Sequence, residues 1–201
     1  ATFPRVEEFV AWVKSCRAVP MITWLDGTSP GERNARAMLE CLVAKGCAAL
    51  NIIPDRNWNI ADPAARAIKI ANLETIVREA DAMGLPINIG TEMNRAGLPF
   101  CDDLAGEVLR RFKSSFVRGA EIMVGHTRLL RYAQFAYLGP EAVATFPTLS
   151  KRNEFFRAIG ALPPPSLPTR RALENAPPER AFSMLGDAGH AGRWPDGAGA
   201  V

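Results

Sequence analysis

The chain has 201 residues, of which 48% are hydrophobic and 22% are charged, proportions typical of a globular protein with one domain and room for a tail. No run approaches the roughly 18 consecutive apolar residues of a membrane span. Glu7 and Glu8 stand where a signal peptide would need an apolar core. We therefore expect a cytoplasmic protein without a membrane partner.

The net charge is +3, from 24 Lys and Arg against 21 Asp and Glu. Because this surplus is small and spread along the chain, it predicts no electrostatic surface for nucleic acid. The four cysteines form no C-x-x-C pair, which favours reduced, buried thiols over a disulfide or a zinc framework. They are Cys16, Cys41, Cys47 and Cys101.

The first elements in chain order are a helix, a strand and a second helix. An amphipathic run after Thr2 predicts the first helix, with one apolar face formed by Val6, Phe9, Val10 and Val13. Residues 19–25 form an apolar run that is too short for a helix and typical of a buried strand. Ser29 and Glu32 match a capping box, and Pro30 suits a first helical position, so the spacing predicts a helix over 30–45.

The same order then repeats. An apolar strand over 47–53 is followed by a polar loop over 54–60, and Asp62 with Pro63 opens a helix that reaches Gly84. Residues 85–90 form the third strand. Asp102 or Asp103 opens the next predicted helix.

The pattern changes after residue 113. Residues 116–138 and 151–159 predict further helices, while 161–201 is rich in proline and glycine and reads as a partly extended tail. We therefore divide the chain into a βα-repeat domain over 1–160 and this tail. Phe182, Leu185 and Trp194 are the tail residues able to dock on the domain.

Apolar strands separated by capped helices indicate an α/β fold with right-handed βα crossovers and a parallel sheet covered on both faces. Three strands make a narrow sheet of this type. Our preferred interpretation is the C-terminal half of a (βα)8 barrel with extra C-terminal helices, completed by an N-terminal half outside this sequence. A small self-contained α/β sandwich and a sheet completed by a second copy are the alternatives.

Polar side chains follow each predicted strand. Because the carboxyl ends of parallel strands meet at one edge, where ligands bind, we expect these loops to converge there. They contribute Asp26 after the first strand, Asp55, Arg56, Asn57, Trp58 and Asn59 after the second, and Glu92, Asn94 and Arg95 after the third. An arginine binds phosphate or carboxylate in a bidentate way, and an indole stacks on a sugar or another ring.

Each of these residues also has a purely structural interpretation. Asp26 and Gly27 form a common turn dipeptide, and Arg56 can pair with Asp55 or Asp62. Glu92 can serve as a general base or metal ligand, or can accept hydrogen bonds from loop amides. The sequence leaves these alternatives open.

The candidate metal ligands are Asp26, Asp55, Glu92 and His126. A carboxylate set suits magnesium or manganese, and zinc is the further candidate. His126 alone is more often a structural hydrogen-bonding residue, and His190 lies in the glycine-rich tail. The chain has no His-x-His, P-loop, G-x-S-x-G or G-x-G-x-x-G motif.

Three motifs together resemble the C-terminal part of bacterial βα-barrel proteins similar to metal-dependent hydrolases of the amidohydrolase and PHP type. They are Ile53-Pro54-Asp55-Arg56-Asn57-Trp58-Asn59, Gly90-Thr91-Glu92-Met93-Asn94 and Gly125-His126-Thr127, and the likeness covers residues 1–160. The resemblance implies that most metal ligands belong to an N-terminal half. This part would supply substrate-binding loops and one carboxylate.

These observations predict a metal-dependent hydrolase acting on a small anionic or polyhydroxylated substrate. Glu92 and Asp55 are the expected catalytic residues, and the other loop residues are expected to bind substrate. A sugar-acid isomerase or a glycosidase, which needs two carboxyl groups across a cleft, is an alternative. A module that only associates with another chain is the third hypothesis. Its mark would be edge carboxylates tied up in caps and salt bridges.

Overall fold

A computed structural model describes residues 3–93, 96–97 and 100–195 of the chain. The chain divides into two compact units, residues 1–119 and residues 120–201. Within the described residues the first unit holds one sheet of three parallel strands in the order β1-β2-β3, which confirms the α/β class. In those same ranges, none of the helices has the length and apolar character to cross a membrane.

In the first unit a helix precedes each strand. The elements are α1 (Val6–Ser15), β1 (Met21–Trp24), α2 (Ala35–Ala44), β2 (Ala49–Ile52), α3 (Asp55–Trp58), α4 (Pro63–Ala82) and β3 (Ile87–Ile89). Two helices, α3 and α4, separate β2 from β3. Helix α5 (Lys113–Ala133) begins in this unit and continues into the second. The three strands are shorter than their predicted runs but lie within them.

The core of the first unit lies on one face of the sheet. Since side chains alternate along a strand, this face receives the buried residues Ile22, Trp24, Leu50, Ile52 and Ile87. Residues of α2, α4 and α5 pack in the same core, among them Leu39, Leu73, Ile76 and Phe116.

The opposite face of the sheet carries a polar row instead of an apolar one. Thr23, Asn51 and Asn88 are aligned across the three strands, and the amide of Asn88 donates to Oδ1 of Asn51 at 2.8 Å. Thr23 is exposed and the two asparagines are half-buried. Met21 and Ala49 lie on this same face, and Ala49 is fully buried, so the face is apolar at one end of the strands and polar along the row of Thr23, Asn51 and Asn88. The expected apolar packing on both faces is therefore confirmed only in part.

Helix α2 begins later than the capping box predicts. Residues 30–34 form turns, and Asn34 caps α2 by accepting a hydrogen bond from the amide of Ala37 at 3.1 Å. Glu32 does not form the predicted capping box with Ser29. Its carboxylate accepts from the amides of Leu25 at 2.8 Å and Gly27 at 3.2 Å, so it fixes the loop after β1.

Helix α4 confirms the other capping prediction. It begins at Pro63, and the Asp62 side chain accepts from the amide of Ala65 at 2.9 Å. The helix predicted from Asp102 or Asp103 is wrong, since turns occupy the segment before α5. Asp103 caps one of these turns by accepting from the amide of Ala105 at 2.9 Å.

The second unit contains most of α5, followed by α6 (Pro140–Thr145), α7 (Leu149–Gly160), α8 (Leu167–Asn175) and α9 (Pro178–Ala191). Helix α7 confirms the helix predicted over 151–159, whereas α8 and α9 lie in the predicted tail. The prediction of a partly extended tail is corrected by α8 and α9. Their prolines lie in the first turn, where a helix needs no N–H donor, so they start helices instead of breaking them. Leu173 and Leu185 are fully buried in this unit.

The cysteines are all free thiols, as predicted, but their expected burial is only partly correct. Cys47 is buried, while the other three, Cys16, Cys41 and Cys101, are exposed. Burial raises the pKa of the Cys47 thiol, which keeps that side chain protonated at neutral pH. Cys47 therefore acts as a small apolar residue of the core.

Gly119 provides a test of the packing between α5 and β3. A Cβ at this position would overlap the backbone carbonyl of Ile87, so the helix and the strand must separate to accept any side chain. We expect Gly119→Ala to lower the free energy of unfolding by about 2 kcal/mol or more, although alanine favours helix. Urea unfolding of the variant measures this loss.

The control for this substitution is Gly31→Ala, because a Cβ at Gly31 meets no other atom within 4 Å. The urea concentration at the midpoint of unfolding of Gly31→Ala should stay close to that of the parent chain. Equal stability of the two alanine variants would contradict the close approach of α5 to β3.

Candidate functional site

The strand register places the three predicted loops at one edge of the sheet. Trp24 is aligned with Ile52, and Ile52 with Ile89, so the loops that begin at Leu25, Ile53 and Gly90 leave the sheet side by side. The chain after β2 forms a single helical turn, α3, where a polar loop was predicted. This turn directs four consecutive candidate residues, 55–58, in different directions.

Arg56 connects the loops. Its Nη2 donates to Oε1 of Glu92 at 2.7 Å, which joins the loop after β2 to the loop after β3. The hydrogen bond to Glu92 raises the pKa of Arg56, and the charge of Asp26 adds to this effect. Asp26, Arg56 and Glu92 therefore lie together at the carboxyl edge. Arg56 takes neither of the partners weighed from the sequence, Asp55 and Asp62.

Asp26 is held by two neighbours. Lys69 of α4 lies 2.9 Å from Oδ2, and Thr28 donates its amide and hydroxyl to Oδ1 at 3.0 and 2.6 Å. Partial burial works to raise the pKa of Asp26, but the hydrogen bonds from Thr28 and Lys69 outweigh it and lower the pKa overall. Asp26 is thus ionised and already coordinated by protein groups.

Asp55 and Asn59 lie at the two ends of α3. The amide of Asn59 donates to Oδ1 of Asp55 at 2.9 Å, a contact of the kind that residues four apart make on a helix. Asp55 is half-buried and Asn59 is exposed. Both are therefore accessible at the edge, although their first contact is with each other.

Asn57 is fully buried and holds the edge together from inside. Its Nδ2 donates to the carbonyl of Leu25 at 3.0 Å and to that of Ile53 at 3.2 Å. This side chain ties the loop after β1 to the loop after β2. Its position gives it a scaffolding role, which corrects its assignment to substrate binding, and its Oδ1 has no partner among the described residues.

Three further residues were predicted for the site. Asn94 and Arg95 lie outside the described residues. His126 lies on α5 in the second unit, where its Nδ1 accepts a hydrogen bond from the backbone amide of Tyr137 at 3.1 Å. That contact is the structural interpretation weighed for His126, and it occupies one of the two ring nitrogens.

No group of three or more His, Cys, Asp or Glu side chains is arranged to hold a metal ion within the ranges the structure describes. The candidate carboxylates there are bound by protein groups, Asp26 by Lys69 and Glu92 by Arg56. These residues do not form a metal centre by themselves. Metal binding stays a prediction that element analysis of the purified protein would test.

Asp102 is a feature of the edge that the sequence analysis assigned to a helix start. Its Oδ1 accepts from Nε1 of Trp58 at 3.2 Å, it is 5% exposed, and its Oδ2 has no partner among the described residues. Burial raises its pKa, the bond from Trp58 opposes this, and the nearby charge of Asp55 adds to the increase. The position of Asp102 after a predicted loop gave no sign of this burial.

A pocket opens beside Trp58. It has a volume of about 180 Å³, and its lining includes Trp58, Arg66, Asp103, Glu107 and Leu109. Nε of Arg66 donates to the backbone carbonyl of Trp58 at 2.8 Å, so α4 and α3 are joined at this wall. Asp26 and Glu92 do not line this pocket.

No protein-family model, no curated protein and no solved structure matches the chain. Any function assigned to the chain therefore rests on the residues at the edge and beside it.

The buried carboxyl of Asp102 predicts a specific dependence of stability on pH. The pKa of Asp102 is raised in the folded chain, so folding favours the protonated carboxyl. The contribution of this carboxyl to the free energy of unfolding is fully present below the pKa of the unfolded state and is lost as pH rises through the pKa of the folded state. Asp102→Asn removes this loss while an amide oxygen remains to accept from Trp58. We expect the variant to be more stable than the parent at pH 7, in urea unfolding measured at pH 4 and pH 7.

The matched control is Asp103→Asn, since Asp103 is the exposed neighbour. It should leave the pH dependence of the parent chain in place. The same difference between pH 4 and pH 7 in the parent and in Asp102→Asn would contradict a buried, hard-to-ionise carboxyl.

Proposed function

We propose that the carboxyl edge is the substrate-binding edge of a hydrolase that acts on a small polar molecule. The observation that carries the proposal is the meeting of Arg56, Glu92 and Asp26 from three separate loops. Arg56 pairs with Glu92 and is also within the electrostatic influence of Asp26. These three charges lie on the side of the sheet where ligands of parallel α/β proteins bind.

In this proposal Glu92 is the general base that accepts a proton from the attacking water. Its Oε1 accepts from Arg56, which leaves Oε2 to face the substrate, and its side chain is 32% exposed. Asp55 is the second carboxylate of the reaction. Arg56 orients the substrate through Nε and Nη1, donors for which the described residues supply no partner.

The proposal includes the interpretation of this chain as half of a (βα)8 barrel that further strands complete. One observation supports it, since the three parallel strands pair in sequence order, as they do in a βα barrel.

A module that only associates with another chain is the second candidate, and one observation favours it. Each edge carboxylate of the first unit is bound by a protein group, Asp26 by Lys69, Asp55 by Asn59 and Glu92 by Arg56. That pattern is the mark expected of a non-catalytic edge. The two candidates differ in whether replacing Glu92 changes any measured activity.

Glu92→Gln tests the hydrolase proposal. We expect it to lower turnover by at least about 100-fold on any ester, phosphate or glycoside that the parent chain hydrolyses, because a neutral amide cannot accept the proton from water. The stability cost should stay within about 1 kcal/mol, since the ion pair is exposed. A panel of nitrophenyl substrates and urea unfolding supply the two measurements.

Glu174→Gln is the matched control. It removes a carboxylate of similar exposure that pairs with Arg131 at 3.0 Å in the second unit. Its activity should equal that of the parent chain. If Glu92→Gln and Glu174→Gln behave alike, Glu92 is not the base.

The half-barrel proposal predicts that the purified chain associates with itself. Helix α1 exposes apolar side chains, including Phe9 at 50% and Trp12 at 63% exposure, and their burial would favour association. We expect a mass of two or more chains by light scattering coupled to size exclusion, with a lower mass for Trp12→Glu. A monodisperse monomer at every concentration would oppose the half-barrel.

A further inference from the structure

The pocket beside Trp58 is separate from the charged edge but shares α3 with it. Asp55 and Arg56, at the start of α3, belong to the edge, and Trp58, at its end, lines the pocket together with Arg66 and Glu107. The wall of the pocket and the Arg56–Glu92 pair are therefore both positioned by α3. The pocket can supply binding that the edge itself does not.

Trp58 is fixed in place by contacts on several sides. Its Nε1 donates to the buried Asp102, its carbonyl accepts from Arg66, and its ring packs against the hydrophobic core. A side chain held in this way loses little conformational entropy when a ligand contacts it. The accessible part of the indole is therefore a preorganised apolar wall.

The charges around this wall favour a neutral ligand over an anion. At the edge, Lys69 pairs with Asp26 and Arg56 pairs with Glu92, so these charges cancel. In the pocket two carboxylates, Asp103 and Glu107, stand against one guanidinium, that of Arg66. An anion would meet net repulsion here. Ionised carboxylates are strong acceptors for hydroxyl groups, and the arginine is a donor for them.

The size of the pocket limits the ligand. Its volume of about 180 Å³ is below the range of about 300 to 1,000 Å³ that drug-sized molecules occupy. A single ring with several hydroxyl groups combines this size with an apolar face for the indole and polar groups for the carboxylates. Leu109 adds apolar surface to the same lining.

We propose that the Trp58 pocket binds a neutral polyhydroxylated molecule of the size of one sugar ring. The ring lies against Trp58, its hydroxyls donate to Asp103 and Glu107, and Arg66 donates to a ring or hydroxyl oxygen. Asp102 is a positioning residue that orients the indole. The inference rests on the proposed function in one respect, since a molecule bound beside α3 would narrow the substrate class expected at the neighbouring edge from anionic or polyhydroxylated to polyhydroxylated and neutral.

Saturation-transfer NMR on the intact chain tests this inference. D-glucose, D-galactose and D-mannose are the neutral probes, and gluconate and glucose 6-phosphate are anionic probes of similar size. We expect transfer to the ring protons of at least one neutral sugar and an at least tenfold weaker affinity for its anionic counterpart. Transfer to the anions alone, or to none of the probes, would overturn the inference.

Two variants locate the binding. Trp58→Ala should abolish the transfer, but it also removes a core contact, so Glu107→Ala is the second variant. Glu107 is exposed on a turn, and its loss should weaken sugar binding by about tenfold without unfolding the chain. Glu154→Ala, an exposed carboxylate of α7, is the matched control and should bind as the parent does. Unchanged binding by Glu107→Ala would place the sugar elsewhere and overturn the assignment.

The outcome is distinguishable from the fate of the proposed function. Suppose that the chain binds the anionic probes but no neutral sugar, and that Arg56→Gln abolishes the anion binding. This result would overturn the inference about the pocket and leave the hydrolase edge intact. Neutral sugars that bind at Trp58, with Glu92→Gln unchanged in every activity, would support the pocket and remove the hydrolase assignment.

Discussion

The register of three short parallel strands is the constraint on which the other features of the first unit depend. Trp24, Ile52 and Ile89 stand in one row, so the loops that follow them leave the sheet at the same level. A slip of one residue would exchange the two faces and turn Asn51 and Asn88 into the apolar core. Both asparagines would then be buried in the apolar core without hydrogen-bond partners, which would lower the free energy of unfolding by about 1 to 3 kcal/mol for each unsatisfied group. The apolar pattern therefore selects the register, and the register places the loops.

Buried and half-buried side chains then fix the loop after β1 against the loop after β2 and against α4. Asn57 joins the carbonyls after β1 and β2, Glu32 accepts the amides of Leu25 and Gly27, and Asn72 of α4 donates to the carbonyl of Asp26 at 2.9 Å. Each contact satisfies a backbone group that would otherwise be left unpaired near the core. The loops that carry the exposed residues of the edge are thus held in place by these hydrogen bonds.

Local features of the sequence were sufficient for the strands and for α4. Short apolar runs predicted all three strands, and Asp62 followed by Pro63 predicted the start of α4, because each signal acts within a few residues. The failures share the opposite property. Glu32 accepts from a backbone amide seven residues earlier, and Asn57 donates to a carbonyl 32 residues away. Local sequence therefore could not distinguish these structural roles from a helix cap for Glu32 and substrate binding for Asn57.

Composition misled in two further places for physical reasons. Two of the prolines in the last forty residues, Pro168 and Pro178, lie in the first turns of α8 and α9, so much of a proline-rich stretch is helical. Asp102 is buried by its bond to Trp58, a partner 44 residues away in the chain, and an aspartate next to a loop carries no sign of that burial. The convergence of Asp26, Arg56 and Glu92 was predictable because it follows from strand direction alone.

The two ion pairs at the carboxyl edge differ in how easily a ligand can replace one partner. The Arg56 and Glu92 side chains are 42% and 32% exposed, while those of Lys69 and Asp26 are 23% and 18% exposed. Water screens the first pair more strongly, so exposed pairs of this kind contribute about 1 kcal/mol or less. A hydroxyl-rich molecule can therefore take the place of one partner at Arg56 or Glu92 at small cost. Asp26 is also bound by Thr28, so it keeps its partners. It therefore holds the loop after β1 in place while a ligand replaces one partner of the Arg56–Glu92 pair.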